Sequence, residues 1–242
     1  MAENLEQQYG ASRGATSTEL DQGLRSHMLK VYNYMASGVL LTGIVAMYFA
    51  QAIVDSPALA QTIFGGPMAY VVMFSPFVMV LVMSFGINKL STFALQACYW
   101  TFAALMGVSL SSILLMYTGE SVAKVFFITA ATFGSLSLYG YTTKKSLSGM
   151  GSFLFMGLVG IIIASIVNMF MQSSVMDFVI SVIGVLVFAG LTAYDTQKIK
   201  QMYFEGHDTQ AMSKLSIMGA LKLYLDFINM FLFLLRLFGN RE

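Results

Sequence analysis

Two aspartates stand in apolar surroundings that offer a carboxylate little solvent. Asp195 lies in Gly190-Leu191-Thr192-Ala193-Tyr194-Asp195-Thr196-Gln197, where an apolar run meets its polar end. Asp226, flanked by Leu225 and Phe227, falls roughly 11 residues into the last run, or about 16 Å along a helix. An ionisable group at membrane depth is costly unless paired or hydrated, so each is a functional candidate. The two runs are consecutive, which makes it geometrically easy to place Asp195 beside Asp226. Two carboxylates held close cannot both ionise cheaply, so the pair would share a proton and act as a pH sensor. Their hard oxygens also suit Ca²⁺, which would compete with the proton for the site.

Four further polar residues, Lys222, Asn229, Tyr194 and Lys89, support this constellation. Lys222 precedes Asp226 by one helical turn and Asn229 follows it by another, so the three share a face of the last run. One account of Lys222 is an intrahelical ion pair with Asp226 that makes insertion tolerable; it leaves Asp195 unexplained. A stripe of Lys222, Asp226 and Asn229 is a poor lipid face, which predicts that the last run passes through the interior of a bundle. Tyr194, beside Asp195, is the third supporting polar group. Lys89 can snorkel from the inner end of its run. Asp177 is read as solvated at the outer interface, His27 and His207 as solvated in polar segments, and Cys98 as small core filler. No Cys/His cluster, Gly-rich phosphate loop, nucleophile elbow or HExxH motif occurs in the sequence.

The elements that must position these residues follow from composition. The chain has 242 residues, is 57% hydrophobic and 10% charged, and has a mean hydropathy of +0.73. A soluble domain is about 25% charged. Thirteen basic and twelve acidic side chains cannot cover a 26.5 kDa globule. That excludes a soluble enzyme, a nucleic-acid binder and a disordered chain, and leaves an all-α polytopic membrane protein. A crossing of ~30 Å of hydrocarbon takes ~20 apolar residues. Seven spans are predicted, at 32–54, 67–87, 92–117, 122–143, 152–171, 175–197 and 215–238. Residues 1–30 are expected to form a polar cytoplasmic tail, poorly ordered at its start, with a short amphipathic helix near 18–30. Residues 31–242 are expected to form a single seven-span domain. Pro76 should kink span two and free a backbone carbonyl. Ala103-xxx-Gly107-xxx-Ser111 and Gly160-xxx-Ala164 have the spacing of close helix packing.

Lys and Arg near the span ends give an orientation. With the N-terminus inside, Arg13, Arg25, Lys30, Lys89, Lys144, Lys145, Lys198, Lys200 and Lys214 are inner, against Lys124, Arg236 and Arg241 outer. This is a clear positive-inside bias. Seven crossings then put the C-terminus outside, unless span seven re-enters.

Two stretches carry a family resemblance. Ala193-Tyr194-Asp195-Thr196-Gln197-Lys198-Ile199 and Leu223-Tyr224-Leu225-Asp226-Phe227-Ile228-Asn229, continuing to Leu234-Leu235-Arg236-Leu237-Phe238-Gly239, resemble the signatures of the transmembrane Bax inhibitor motif family, bacterial branch. The layout is similar from about residue 25 onward. The resemblance implies six helices around a central seventh. It also implies a pH-sensitive calcium leak channel of the bacterial inner membrane, gated by the pair Asp195 and Asp226. A basic residue near the inner end of span two assists closure in some members, and Lys89 is the nearest match here. Lys222 stands where the family pattern carries no charge. Under this reading the protein is no enzyme and needs no cofactor, Ca²⁺ being the permeant or bound ion. Its partners are the lipid bilayer, calcium ions and protons.

Other readings make different demands. A regulatory or scaffold protein acting on a membrane protease or another membrane protein would need no charged pair. An intramembrane aspartyl protease would need Gly-x-Gly-Asp at the second aspartate, where Leu223-Tyr224-Leu225 stands instead. A retinal protein would need an acidic counter-ion on span three, which has none.

Overall fold

The computed structural model describes residues 2–203 and 209–241, with side-chain surroundings from residue 22 onward. It is all-α. The helices are α1 (Ala2–Asp55), α2 (Pro57–Phe64), α3 (Pro67–Gly86), α4 (Thr92–Leu114), α5 (Gly119–Thr142), α6 (Ser148–Met171), α7 (Ser174–Gln201) and α8 (Thr209–Phe238). Seven of them are long and apolar enough to cross a membrane, the first from Gln22 to Asp55. The predicted spans are all present. The short amphipathic helix expected near 18–30 is instead part of one continuous helix with span one, and α2 occupies what reads in sequence as a loop.

Local chemistry sets the boundaries. Ser91, Thr118 and Ser173 cap α4, α5 and α7, each side-chain oxygen accepting from the backbone N–H three residues on. Pro57 and Pro67 open α2 and α3, where a missing N–H costs nothing. Pro76 inside α3 frees the Val72 carbonyl, which accepts from Ser109 Oγ of α4 at 2.7 Å and from Ser75 Oγ at 3.2 Å. The carbonyl that the proline releases thus becomes an interhelical tie, as the sequence leads one to expect.

α8 is the axis. In its most apolar stretch 72% of residues are buried, against at most 33% in any other span. It packs against α1, α4, α5 and α7; α3 lies outside on α4, and α6 outside on α7. The central seventh span is therefore walled directly by four helices rather than six, and α3 and α6 leave one flank of it thinly covered. Close packing uses small residues. A Cβ on Gly107 would sit 2.7 Å from the Thr42 carbonyl of α1, so this glycine lets α1 and α4 lie against each other. Gly160 is different: nothing among the described residues lies within 4 Å of its missing side chain, so it faces outward and is not the packing position its spacing suggests. On α6 that part is played by Gly151 against Tyr194 and Gly157 against Val187.

The two ends of the bundle differ in charge. At one end Lys30 reaches Ser213 Oγ (2.9 Å), Lys200 the Tyr141 carbonyl (2.7 Å) and Lys214 the Ile87 carbonyl (3.1 Å). At the other, Arg241 lies over the Tyr117 ring and Arg236 Nη1 is 4.0 Å from Asp177 Oδ1. The segment after α8 is fastened there: Thr118 N–H donates to the Asn240 carbonyl and Asn240 N–H to Ser121 Oγ, both at 3.0 Å. With its 30 residues rising about 45 Å, α8 is one unbroken helix long enough to cross a membrane.

Candidate functional site

α7 and α8 carry the site. They pack extensively along each other, and the close approach is helped by Gly184 meeting Phe233 and Gly219 meeting Ile199. Asp195 lies near the basic end of α7, 8% exposed, and Asp226 near the middle of α8, 4% exposed. Among the described residues they are the only buried members of the Asp, Glu, Lys and Arg set.

Lys222 links the two carboxyl groups into one cluster, standing one turn before Asp226 on α8 and reaching Asp195 on α7. The lysine does not close an intrahelical pair with Asp226. Its Nζ crosses to α7 and donates to Asp195 Oδ1 at 3.3 Å. Asp226 Oδ2 is buried with no hydrogen-bond partner among the described residues. A buried acceptor left open is expensive for a carboxylate in its charged form, so this oxygen marks a place for a proton, a water or a cation.

The remaining sequence candidates separate. Asn229 is half-buried and donates to the Leu225 carbonyl of its own helix at 2.8 Å. The expected stripe is thus split, with Lys222 and Asn229 toward the thinly covered flank and Asp226 turned inward. Tyr194 faces α6, packs on Gly151 and lies under the Lys198 ammonium, away from the carboxylates. Lys89 is exposed in the turn after α3, with no side-chain partner among the described residues. The basic group that meets this turn is Lys214. Asp177 is half-buried, its side chain 42% exposed and facing Arg236, and Cys98 is half-buried against the core. His27 contradicts its reading: it is 6% exposed, its Nδ1 3.1 Å from Ser216 Oγ and its ring 5.7 Å from that of Tyr203. The first turns of α1, read in sequence as a tail, continue the helix and carry His27 into the bundle. His207 lies outside the described residues.

Sequence reasoning missed the hydroxyl network around the carboxylates. Thr196, next to Asp195, shares a 2.9 Å hydrogen bond with Ser137 of α5, which meets Tyr32 OH of α1 at 2.7 Å. On the other side of α8, Thr42 Oγ1 of α1 donates to the Ala103 carbonyl and meets Tyr224 OH, both at 2.7 Å. Ser and Thr bond readily to their own helix backbone, as Thr192 and Thr196 do here, so a hydroxyl in an apolar run carries little signal.

Calcium can be weighed against this donor set. Two carboxylates offer at most about four oxygens, whereas Ca²⁺ takes about six to eight. No group of three or more His, Cys, Asp or Glu side chains that could hold a metal occurs among the described residues. Asp195 and Asp226 alone would leave the rest of the coordination of a Ca²⁺ ion to water.

A seven-span helical bundle built around its last helix, with a buried carboxylate pair at that axis, defines a polytopic membrane protein. Residues 24–242 match the family described as Inhibitor of apoptosis-promoting Bax1. The inner membrane protein YbhL of Escherichia coli K12 is 46% identical over 223 residues, covering 91% of this chain and 94% of its own. An uncharacterized protein of Caulobacter vibrioides is 48% identical over 234 residues, covering 92% of each chain. RP147 of Rickettsia prowazekii is likewise 48% identical over 222 residues, covering 92% of each. The chain belongs to the Bax inhibitor family of membrane proteins.

Proposed function

We propose that the protein is a pH-sensitive leak channel for calcium, and more broadly for cations, gated by Asp195 and Asp226. We place it in the bacterial inner membrane with the N-terminus in the cytoplasm. The similarity to YbhL supports the membrane, and the gathering of lysines at one end of the bundle supports the orientation. The observation that carries the function is the buried pair itself, one carboxyl on each of two adjoining helices, with Asp226 Oδ2 unpartnered among the described residues.

Charge balance suggests how such a gate works. Two carboxylates and the Lys222 ammonium sum to one negative charge, which a single proton cancels. With the proton in place the cluster is neutral and can stay dry. When the proton leaves, the open oxygen of Asp226 needs water or a cation, and the helices must admit one. The flank of α8 left by α3 and α6 is the route by which it would enter.

Reconstitution in liposomes tests this reading. Ca²⁺ flux is expected to rise from about pH 6 to about pH 8, the range a carboxylate pair sharing a proton can reach. Asp226→Asn should flatten that profile. Identical leaks from wild type and Asp226→Asn at every pH would overturn the gate.

A further inference from the structure

Lys222 is the basic side chain that reaches the carboxylate pair, and its geometry is unusual for a structural ion pair. It sits one turn before Asp226 yet bonds across the helix interface to Asp195 Oδ1 at 3.3 Å. Tight charge-assisted N–H···O bonds are shorter, about 2.7–2.9 Å, so the contact is loose. The side chain stays 46% exposed while that of Asp195 is only 11% exposed. The ammonium therefore stands at the mouth of the site with the carboxylates behind it. Along the same flank of α8, Leu225 and Asn229 are half-buried and Arg236 is exposed, because neither α3 nor α6 lies along this side. A lysine on a flexible stem can leave such a position without unpacking a helix.

We propose that the Lys222 ammonium is a tethered counter-cation occupying the Asp195/Asp226 site, which an incoming divalent cation must displace, and that it weakens the site's preference for divalent over monovalent ions. The proposal rests on reading the carboxylate pair as a cation site. With Lys222 in place the fully ionised cluster carries one negative charge, and without it two. Affinity of oxygen sites for Ca²⁺ follows the count of ligand charge, so neutralising residue 222 strengthens divalent binding. A lysine that merely eased insertion would have no such effect on ions.

Ca²⁺ is the probe, with purified protein read two ways: Ca²⁺-dependent thermal shift in detergent, and Ca²⁺ against K⁺ flux in liposomes. Lys222→Gln should bind Ca²⁺ at least tenfold more tightly than wild type and shift flux toward Ca²⁺, whereas Lys222→Arg should resemble wild type. To hold the fold constant, Lys222→Cys in a Cys98→Ala background is treated after reconstitution with aminoethyl methanethiosulfonate, which restores an ammonium, or with a neutral analogue. The charged reagent should return binding and selectivity to wild-type values; the neutral one should not. If Lys222→Gln and both modified forms match wild type while Asp226→Asn abolishes the leak, the lysine assignment is wrong and the gate survives. If Ca²⁺ binding tightens as expected but no form conducts, the counter-cation stands and the channel reading falls. No gain of binding in any form lacking the charge overturns the lysine proposal whatever the flux.

Discussion

At the residue scale, burial is what sets Asp195 and Asp226 apart from the other Asp, Glu, Lys and Arg side chains among the described residues. The aspartates were legible in sequence because a carboxylate in an apolar run is so rarely idle. The partner of Lys222 was not, since an ammonium on a four-carbon stem reaches as easily across a helix interface as along its own helix. His27 shows the same limit from the other side: a histidine in a polar-looking segment gives no sign that its segment continues into a bundle. Its bonding can be read in detail. Ser216 Oγ donates to the Met212 carbonyl at 2.9 Å, so it accepts from His27, which assigns the proton to Nδ1 and leaves Nε2 buried without a partner among the described residues. Ser216→Ala strands a buried N–H and is expected to cost about 1–3 kcal/mol. His27→Phe leaves Ser216 bonded to its own helix and keeps a ring against Tyr203, so it should cost less. Thermal unfolding in detergent orders the two, and a less stable His27→Phe would refute the assignment.

At the element scale, the spans themselves follow from run length and turn chemistry, and every predicted crossing is found. What spacing alone could not tell was which small residues face a neighbour. Ala103, Gly107 and Ser111 do, all three being buried; Gly160, at the same kind of spacing, looks outward because α6 packs chiefly on α7. Layering, the thing that decides this, depends on contacts far apart in sequence. Gly140 of α5 is a sharper case, for a Cβ there would collide with the Ala193 carbonyl of α7, just before Asp195. Gly140→Ala is expected to push α5 from α7 and cost about 1–3 kcal/mol, the usual range for overpacking. Gly160→Ala meets nothing, and removing a helix-interior glycine should be neutral or stabilising by up to about 1 kcal/mol. Equal melting points for the two variants would contradict the layering described above.

At the scale of the whole molecule, the distribution of lysines makes a topological prediction that needs no channel. In a Cys98→Ala background, Glu120→Cys should react with a membrane-impermeant thiol reagent added outside intact spheroplasts, and Lys145→Cys only after lysis. The reverse pattern would invert the orientation. Charge counting in the sequence predicts this arrangement, but nothing in it hints that Asn240 and Arg241 pair with Tyr117, Thr118 and Ser121, a contact spanning half the chain. That the axis of the bundle is also its last helix has a consequence for how the protein is made. Six spans leave the ribosome before their core exists, and the helix that completes it must enter the membrane bearing Lys222 and Asp226, each costly to insert alone. Asp195, delivered on the helix just before, is positioned to receive Lys222 as α7 and α8 enter together as a hairpin. A chain cut short before Thr209 would retain its outer walls and have nothing to close on. About the last seventh of the sequence supplies the axis on which the other spans pack.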